Sequence, residues 1–302
     1  AWWNGGSENE SIGLPVSFVS AGSLLLFGKG QSGISLNILQ DYVAGRLPNA
    51  ILSTAFIPIF YLLSSQFISK KIASLASVLL LLDPTHIALS RWIMLDNFLA
   101  ACTFISVVSF ALGVKKKSKK YLVIAGLFLS LGFLTKPNGI LPGVSWLTLV
   151  LLSSHLKNRL SYLALAGFSS LFFIMILWPS SWTQPIVSIF EYLYRQASLT
   201  EIGINYYFFG VVSKSPPDWF YLFQIITKLP LLVVLGLLGG GLMTMREIKR
   251  FSIRRSNLYF VSFFLFILAF FISISVPNIK VGARYALPLW PWIYLTVAYV
   301  VV

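Results

Sequence analysis

Runs of about 20 apolar residues recur along this chain, each long enough to cross the ~30 Å hydrocarbon core of a bilayer. Backbone in lipid must satisfy its own hydrogen bonds, so repeated runs of this length predict packed helices. Composition agrees: 57% of the 302 residues are hydrophobic and only 11% are charged, with a mean hydropathy of +0.82. A soluble domain carries about a quarter charged residues. The chain is therefore read as an all-α, polytopic integral membrane protein. Breaks between runs place spans near 42–65, 72–88, 96–114, 121–135, 140–154, 160–178, 224–245, 256–275 and 287–302. Cys102 lies inside one of them and is the sole cysteine, which excludes an intrachain disulfide.

The net charge of +14 suggests nucleic acid until the charges are placed. Fourteen of the 23 Lys and Arg fall in four short connections, at 70–71, 115–120, 157–159 and 246–255. Short loops rich in Lys and Arg face the cytoplasm. The basic runs thus set topology, and no nucleic-acid partner is expected. Every acidic residue except Glu247 falls in the alternate loops or, for Asp83 and Asp96, immediately beside one. These loops comprise residues 1–41, the short loop 84–95, the turn TKPNG (135–139), the long stretch 179–223 and the loop 277–286. Trp178, Trp182, Trp219, Trp290 and Trp292 stand at their edges, as interfacial anchors do. Two segments, 16–28 and 184–196, read as helices lying in the outer interface.

One segment on that outer side stands apart. SRWIMLDNFLAA (90–101) sets Arg91 and Asp96 at the mouth of an otherwise apolar run. A charge at bilayer depth is costly unless it meets a partner or a water-filled cavity, so such residues mark functional sites by default. The bland alternative is an Arg91–Asp96 pair capping a helix. Five positions apart, however, the two would stand about 140° apart on a regular helix.

The order of motifs then carries a family resemblance. An interfacial helix ending LLLFG precedes GRLPNAI at the start of a span, and SRWIMLDNFL opens another. FLTKPNGIL joins two spans, a large aromatic loop follows, and GARYALPLWPW enters a late span. This order resembles the protein O-mannosyltransferases and their prokaryotic relatives, the family 39 glycosyltransferases, which include relatives of the lipid A aminoarabinose transferase. The resemblance implies a single glycosyltransferase-C module over 1–302: about nine transmembrane helices, outer interfacial helices and the active site on the outer side. It also implies a polyprenyl-phosphate-linked sugar as donor, and a protein, lipid or glycan as acceptor. The membrane would be a prokaryotic plasma membrane or the endoplasmic reticulum, with dolichyl or undecaprenyl donor and the sugar, mannose or another hexose, left open.

Two departures from the family pattern bear on the site. The family's Asp-Glu pair, whose Asp is the general base, is missing from the sequence. AWWNGGSENE, which begins at Ala1, resembles the part of the first outer loop after that pair. The general base is therefore expected upstream of Ala1, in a longer chain with at least one more amino-terminal helix. The family's His-Pro-Pro or Lys-Pro-Pro stretch reads SIGLP here.

Transfer from a polyprenyl phosphate needs a carboxylate to act on the acceptor, and cations or a metal where phosphate leaves. The outer face offers Asp96, Glu8, Glu10 and Asp83 for the first task. Arg91, Lys136, Lys280 and Arg284 serve the second, with Tyr285 as a further donor. Arg suits bidentate phosphate contact and Lys acts as a point charge. Lys136, Lys280 and Arg284 are expected to converge on the donor phosphate, and Asp96 to orient the acceptor, a metal or a neighbouring cation. Each has a structural alternative: Lys136 snorkelling, Arg284 meeting lipid head groups, Glu8 and Glu10 merely solvated, Arg46 an anchor. Asp83 and His86 form a weak divalent-metal candidate. The rival reading is a lipid or solute transporter, which would place ionisable residues near mid-bilayer. A non-catalytic relative is the third.

Overall fold

The structure, a computed structural model, describes residues 14–27, 38–153, 158–202, 205–214, 216–237, 257–277, 280 and 282–302. Nearly all of it is helical. Helices α1 (Leu14–Phe27) and α2 (Ile38–Ser64) are followed by α3 (Lys70–Leu81), α4 (Pro84–Ser90), α5 (Leu95–Lys116) and α6 (Lys119–Thr135). Next come α7 (Pro142–Leu152), α8 (Arg159–Leu177) and α9 (Pro185–Ile202). After α10 (Phe220–Lys228) and a helical stretch at 231–237, the chain closes with α11 (Asn257–Ser275) and α12 (Trp290–Val301).

Helix α5 is the axis of the molecule. Its membrane-spanning window is 94% buried inside the protein, which explains why its sequence is apolar on every side rather than on one stripe. It packs chiefly against α6 and α2, and more lightly against α7. One polar side chain on this axis ties it to its neighbour: Ser106 Oγ donates to Ala125 O at 3.0 Å on α6. Helix α6 in turn lies against α8 at Gly126, where a Cβ would sit 2.5 Å from Ala166 O. The same window of α8 is only 17% buried, and Phe168, Leu171 and Phe172 project outward. With no polar rim among them, these side chains suit lipid rather than water.

Among the described residues, four helices are long and apolar enough to cross a membrane: Val43–Ser64, Leu95–Lys116, Arg159–Leu177 and Leu258–Ser275. A bent pair, α3 with α4, makes five if taken as one span. The count of nine is not confirmed, and prolines account for much of the difference. Pro84 follows Asp83, and the two halves of the 72–88 run meet at 59°. Leu229 is extended (φ −75°, ψ 143°) before Pro230, which interrupts the 224–245 run; residues 238–256 lie outside the described part. Helices α6, α7 and α12, with 17, 11 and 12 residues, cover the remaining predicted spans but are short for the purpose.

The expectation of a purely helical chain needs one correction. In the aromatic loop, β1 (Tyr206–Phe208) and β2 (Val211–Ser213) form an antiparallel ribbon. Phe209 and Gly210 turn between them with φ of 48° and 83°, the geometry of the two-residue hairpin turn whose twist matches its strands. Aromatic side chains hold it down: Phe208 meets Phe220 and Trp219 with ring centroids 5.1 and 5.2 Å apart.

Candidate active site

Asp96 lies in the first turn of α5 and is 3% exposed. A carboxylate there is favoured by the unpaired N–H groups and the dipole of the helix start. The turn delivering it is clamped from α2. The buried Asn49 amide donates to both Ser90 O and Trp92 O, and the Arg46 guanidinium covers the Trp92 ring at 4.7 Å. Asn97, the next residue, donates to Ser53 Oγ at 3.4 Å. The GRLPNAI motif therefore works as a bracket for the loop that leads into Asp96.

Lys136 caps the C-terminus of α6 in an extended conformation, as the residue before Pro137 should. The turn after it folds back onto the helix, with Gly139 N–H donating to Lys136 O at 2.8 Å. No side chain fits at that contact: a Cβ on Gly139 would lie 2.0 Å from Gly132 C and 2.5 Å from Phe133 N. From the other side, the Tyr192 hydroxyl of α9 donates to Phe133 O at 2.9 Å, within a buried cluster of Phe133, Ile174 and Trp178. So anchored, the Lys136 ammonium makes an ion pair with Asp96 Oδ1 and stands 3.8 Å from the centroid of the Tyr285 ring.

Tyr285 and Arg284 arrive on a third segment, the 3-10 helix Ala283–Leu289. It starts at Gly282, whose φ of 86° favours glycine. The Arg284 guanidinium lies 5.7 Å from the Tyr285 ring, and its Nη1 donates to Met94 Sδ at 3.4 Å. Its Nε–H is buried without a partner among the described residues.

Three separate connections thus meet at one end of the helix bundle, bringing two cations, one carboxylate and a phenol together. Burial pulls the Lys136 pKa below the ordinary lysine value; the Asp96 carboxylate opposes this, and Arg284 adds to it. Burial likewise raises the Tyr285 phenol, with Asp96 adding and Arg284 opposing, so the phenol keeps its proton and remains a donor. With one positive charge in surplus and an orphan guanidinium N–H, the arrangement suits an anion with several acceptor oxygens.

The other predicted residues separate from this group. Arg91 ends α4, is exposed, and pairs with no carboxylate among the described residues; the break at 91–94 removes it from the helix that carries Asp96. Lys280 is buried, but its ammonium donates to Ser275 O and lies 5.7 Å from the Tyr221 ring. No contact ties it to Lys136 or Arg284. Asp83 is fully buried and acts as a cap: its Oδ2 accepts from His86 N–H at 2.7 Å and from Trp290 Nε1 at 3.0 Å. His86 is buried beside it, yet no group of three or more His, Cys, Asp or Glu suited to a metal exists among the described residues. The residues present do not fit a metal centre there. Ala1, Glu8 and Glu10 lie outside the described residues. Among the described residues Asp96 is the carboxylate at the site. Sequence reasoning missed Asn49, Met94 and Tyr192; an asparagine inside an apolar helix is the one signal that pointed to the first.

The family model for dolichyl-phosphate-mannose-protein mannosyltransferase matches residues 17–178, more than half of the chain. The chain belongs to this mannosyltransferase family. Among solved structures it is similar to ArnT from Cupriavidus metallidurans bound to undecaprenyl phosphate, with a TM-score of 0.67 at 17% identity. That match covers 94% of this chain and 49% of ArnT. The Archaeoglobus fulgidus oligosaccharyltransferase in its apo form matches with a TM-score of 0.64 at 15% identity, over 96% of this chain and 42% of that one. At such identities the likeness establishes the fold, that of the glycosyltransferase-C membrane enzymes. This family member spans about half the length of the structures it matches. No curated protein matches it.

Proposed function

We propose that the protein is a membrane glycosyltransferase that moves a hexose, mannose or another, from a polyprenyl phosphate to a hydroxyl or amine acceptor on the outer side. One observation carries this reading: Lys136 and Arg284, from separate loops, flank the Tyr285 ring beside the buried Asp96. It is supported by the family description, which names a dolichyl-phosphate-linked sugar, and by the undecaprenyl phosphate bound to ArnT.

In the proposed reaction the bond from the sugar's anomeric carbon to the phosphate oxygen breaks as the acceptor oxygen or nitrogen bonds to that carbon. Negative charge grows on the departing polyprenyl phosphate, where Lys136 and Arg284 stabilise it and Tyr285 donates a hydrogen bond. Preorganised donors of this kind act where charge develops and need no reorganisation. Asp96 holds the Lys136 ammonium in place. The acceptor's proton passes to a carboxylate, the general base that the family resemblance assigns to the first outer loop. Arg91, exposed on the turn before Asp96, serves as a rim cation for the incoming donor. The span interiors, nearly free of charge, argue against a transporter.

The test is sugar transfer in proteoliposomes from a radiolabelled polyprenyl-phosphate hexose. Arg284→Ala removes a charge-assisted contact worth about 1.5–3 kcal/mol, so transfer should fall by about tenfold or more. Unchanged donor affinity and turnover in that variant would remove Arg284 from the site.

A further inference from the structure

From the middle of the bundle toward the end opposite Asp96, a cavity of about 450 Å³ opens between α2, α5, α11 and α12. Its size falls within the about 300–1,000 Å³ usual for ligand pockets. Phe67, Phe104, Phe263 and Trp292 are among the residues that line it. It begins near Phe104, about 12 Å along α5 from Asp96, and passes Val108, about 18 Å along. The cavity is therefore separate from the proposed active site.

Two features show what it would hold. The first is a wall made mostly of aromatic and aliphatic side chains. Such a wall suits hydrocarbon, and the polar atoms Ser64 Oγ and Trp292 Nε1 are enclosed behind it. The second is the charge at the rim. The Lys115 ammonium lies 4.7 Å from the ring of Phe67, a wall residue, and donates to Gln66 O at 2.6 Å. Lys116 donates to Gln66 Oε1 at 2.7 Å, and Lys70 and Lys71 stand exposed just beyond Ile68. Each ammonium keeps donors to spare.

We propose that this cavity binds an anionic glycerophospholipid of the basic, cytoplasmic-facing leaflet, its phosphate at Lys115 and Lys116 and an acyl chain among the aromatic rings. A polyprenyl phosphate held here would leave the Lys136 end empty. The inference is independent of the reaction at Asp96; it rests on the membrane reading and on the charge of this rim.

The experiment uses the full chain in detergent, titrated with dioleoylphosphatidylglycerol or dioleoylphosphatidylcholine and followed by thermal shift and native mass spectrometry. A lysine near an anionic head group contributes about fivefold in affinity. Phosphatidylglycerol should therefore bind at least tenfold more tightly than phosphatidylcholine, and Lys115→Gln with Lys116→Gln should erase the difference. Thr296→Trp, at an exposed wall position, should block both lipids. Arg284→Ala should leave phosphatidylglycerol binding intact while impairing transfer, which separates failure here from failure of the proposed activity. Equal binding of the two lipids would overturn the proposal. So would binding that survives Thr296→Trp, or displacement of phosphatidylglycerol by undecaprenyl phosphate.

Discussion

At the scale of single residues, the site turns on one buried ion pair and the cation beside it. Lys136 stabilises a departing phosphate only while protonated, so transfer should be lost as pH rises through its pKa. Because burial holds that pKa below the ordinary lysine value, the alkaline limb of the rate profile should fall below that of a free lysine. The neighbours fix the sign of two further shifts. Asp96 raises the Lys136 pKa, so Asp96→Asn, which keeps the shape, should move the limb to lower pH and abolish most transfer at neutral pH. Arg284 lowers it, so Arg284→Gln should move the limb to higher pH in whatever activity survives. A folded Asp96→Asn protein with full activity and an unshifted profile would reduce the ion pair to scaffolding. The pairing itself was only partly legible in sequence. Asp96, Lys136 and Arg284 each stood out as a charge beside an apolar run, but their partners depend on how three loops stack. Arg91, nearest to Asp96 in sequence, lies across a helix break and does not meet it.

At the scale of elements, the turns position the chemistry, and they were the least readable part. Apolar runs marked most helices closely, since hydrocarbon length imposes a simple rule. They could not reveal that Asp83 would cap α4 and bend the 72–88 run, nor that Tyr192 would dock α9 onto the end of α6. The TKPNG turn gives the clearest test. A methyl at Gly139 meets backbone atoms of Gly132 and Phe133, so Gly139→Ala must push the turn away and carry Lys136 off Asp96. Overpacking of this kind typically costs about 1–3 kcal/mol, and the loss of transfer should exceed the loss of stability. Gly143 is the control. A Cβ there meets nothing within 4 Å, and alanine in a helix is favoured over glycine by up to about 1 kcal/mol. Gly143→Ala should therefore keep activity and melt no earlier than the parent. Equal behaviour of the two variants in transfer and melting would show that the turn does not hold the site.

At the scale of the whole molecule, the charge asymmetry and the site agree on one orientation. The Lys-rich connection after α5 lies a full helix length from Asp96: the 22 residues of Leu95–Lys116 rise about 33 Å, close to the thickness of a bilayer's apolar core. If Asp96, Lys136 and Arg284 act on a lipid-linked phosphate at one surface, the lysines at 115–120 must stand at the other, and the positive-inside rule makes that surface cytoplasmic. The aromatic ribbon then shares the outer side with the site, since Tyr206 packs on Phe220 and its hydroxyl lies beside the backbone of Gly282, at the root of the Arg284 segment. This orientation can be checked with introduced cysteines, because the native Cys102 is buried in α5 and Cys102→Ser gives a background without thiols. Lys117→Cys, on the exposed α5–α6 connection, should react with an impermeant maleimide only from the cytoplasmic side. Tyr207→Cys, on a side chain 68% exposed in the ribbon, should react only from the outside. Labelling of both from one face would place the basic loop and the active-site loops on the same side of the membrane, and neither the orientation nor the outer-side reaction would survive it.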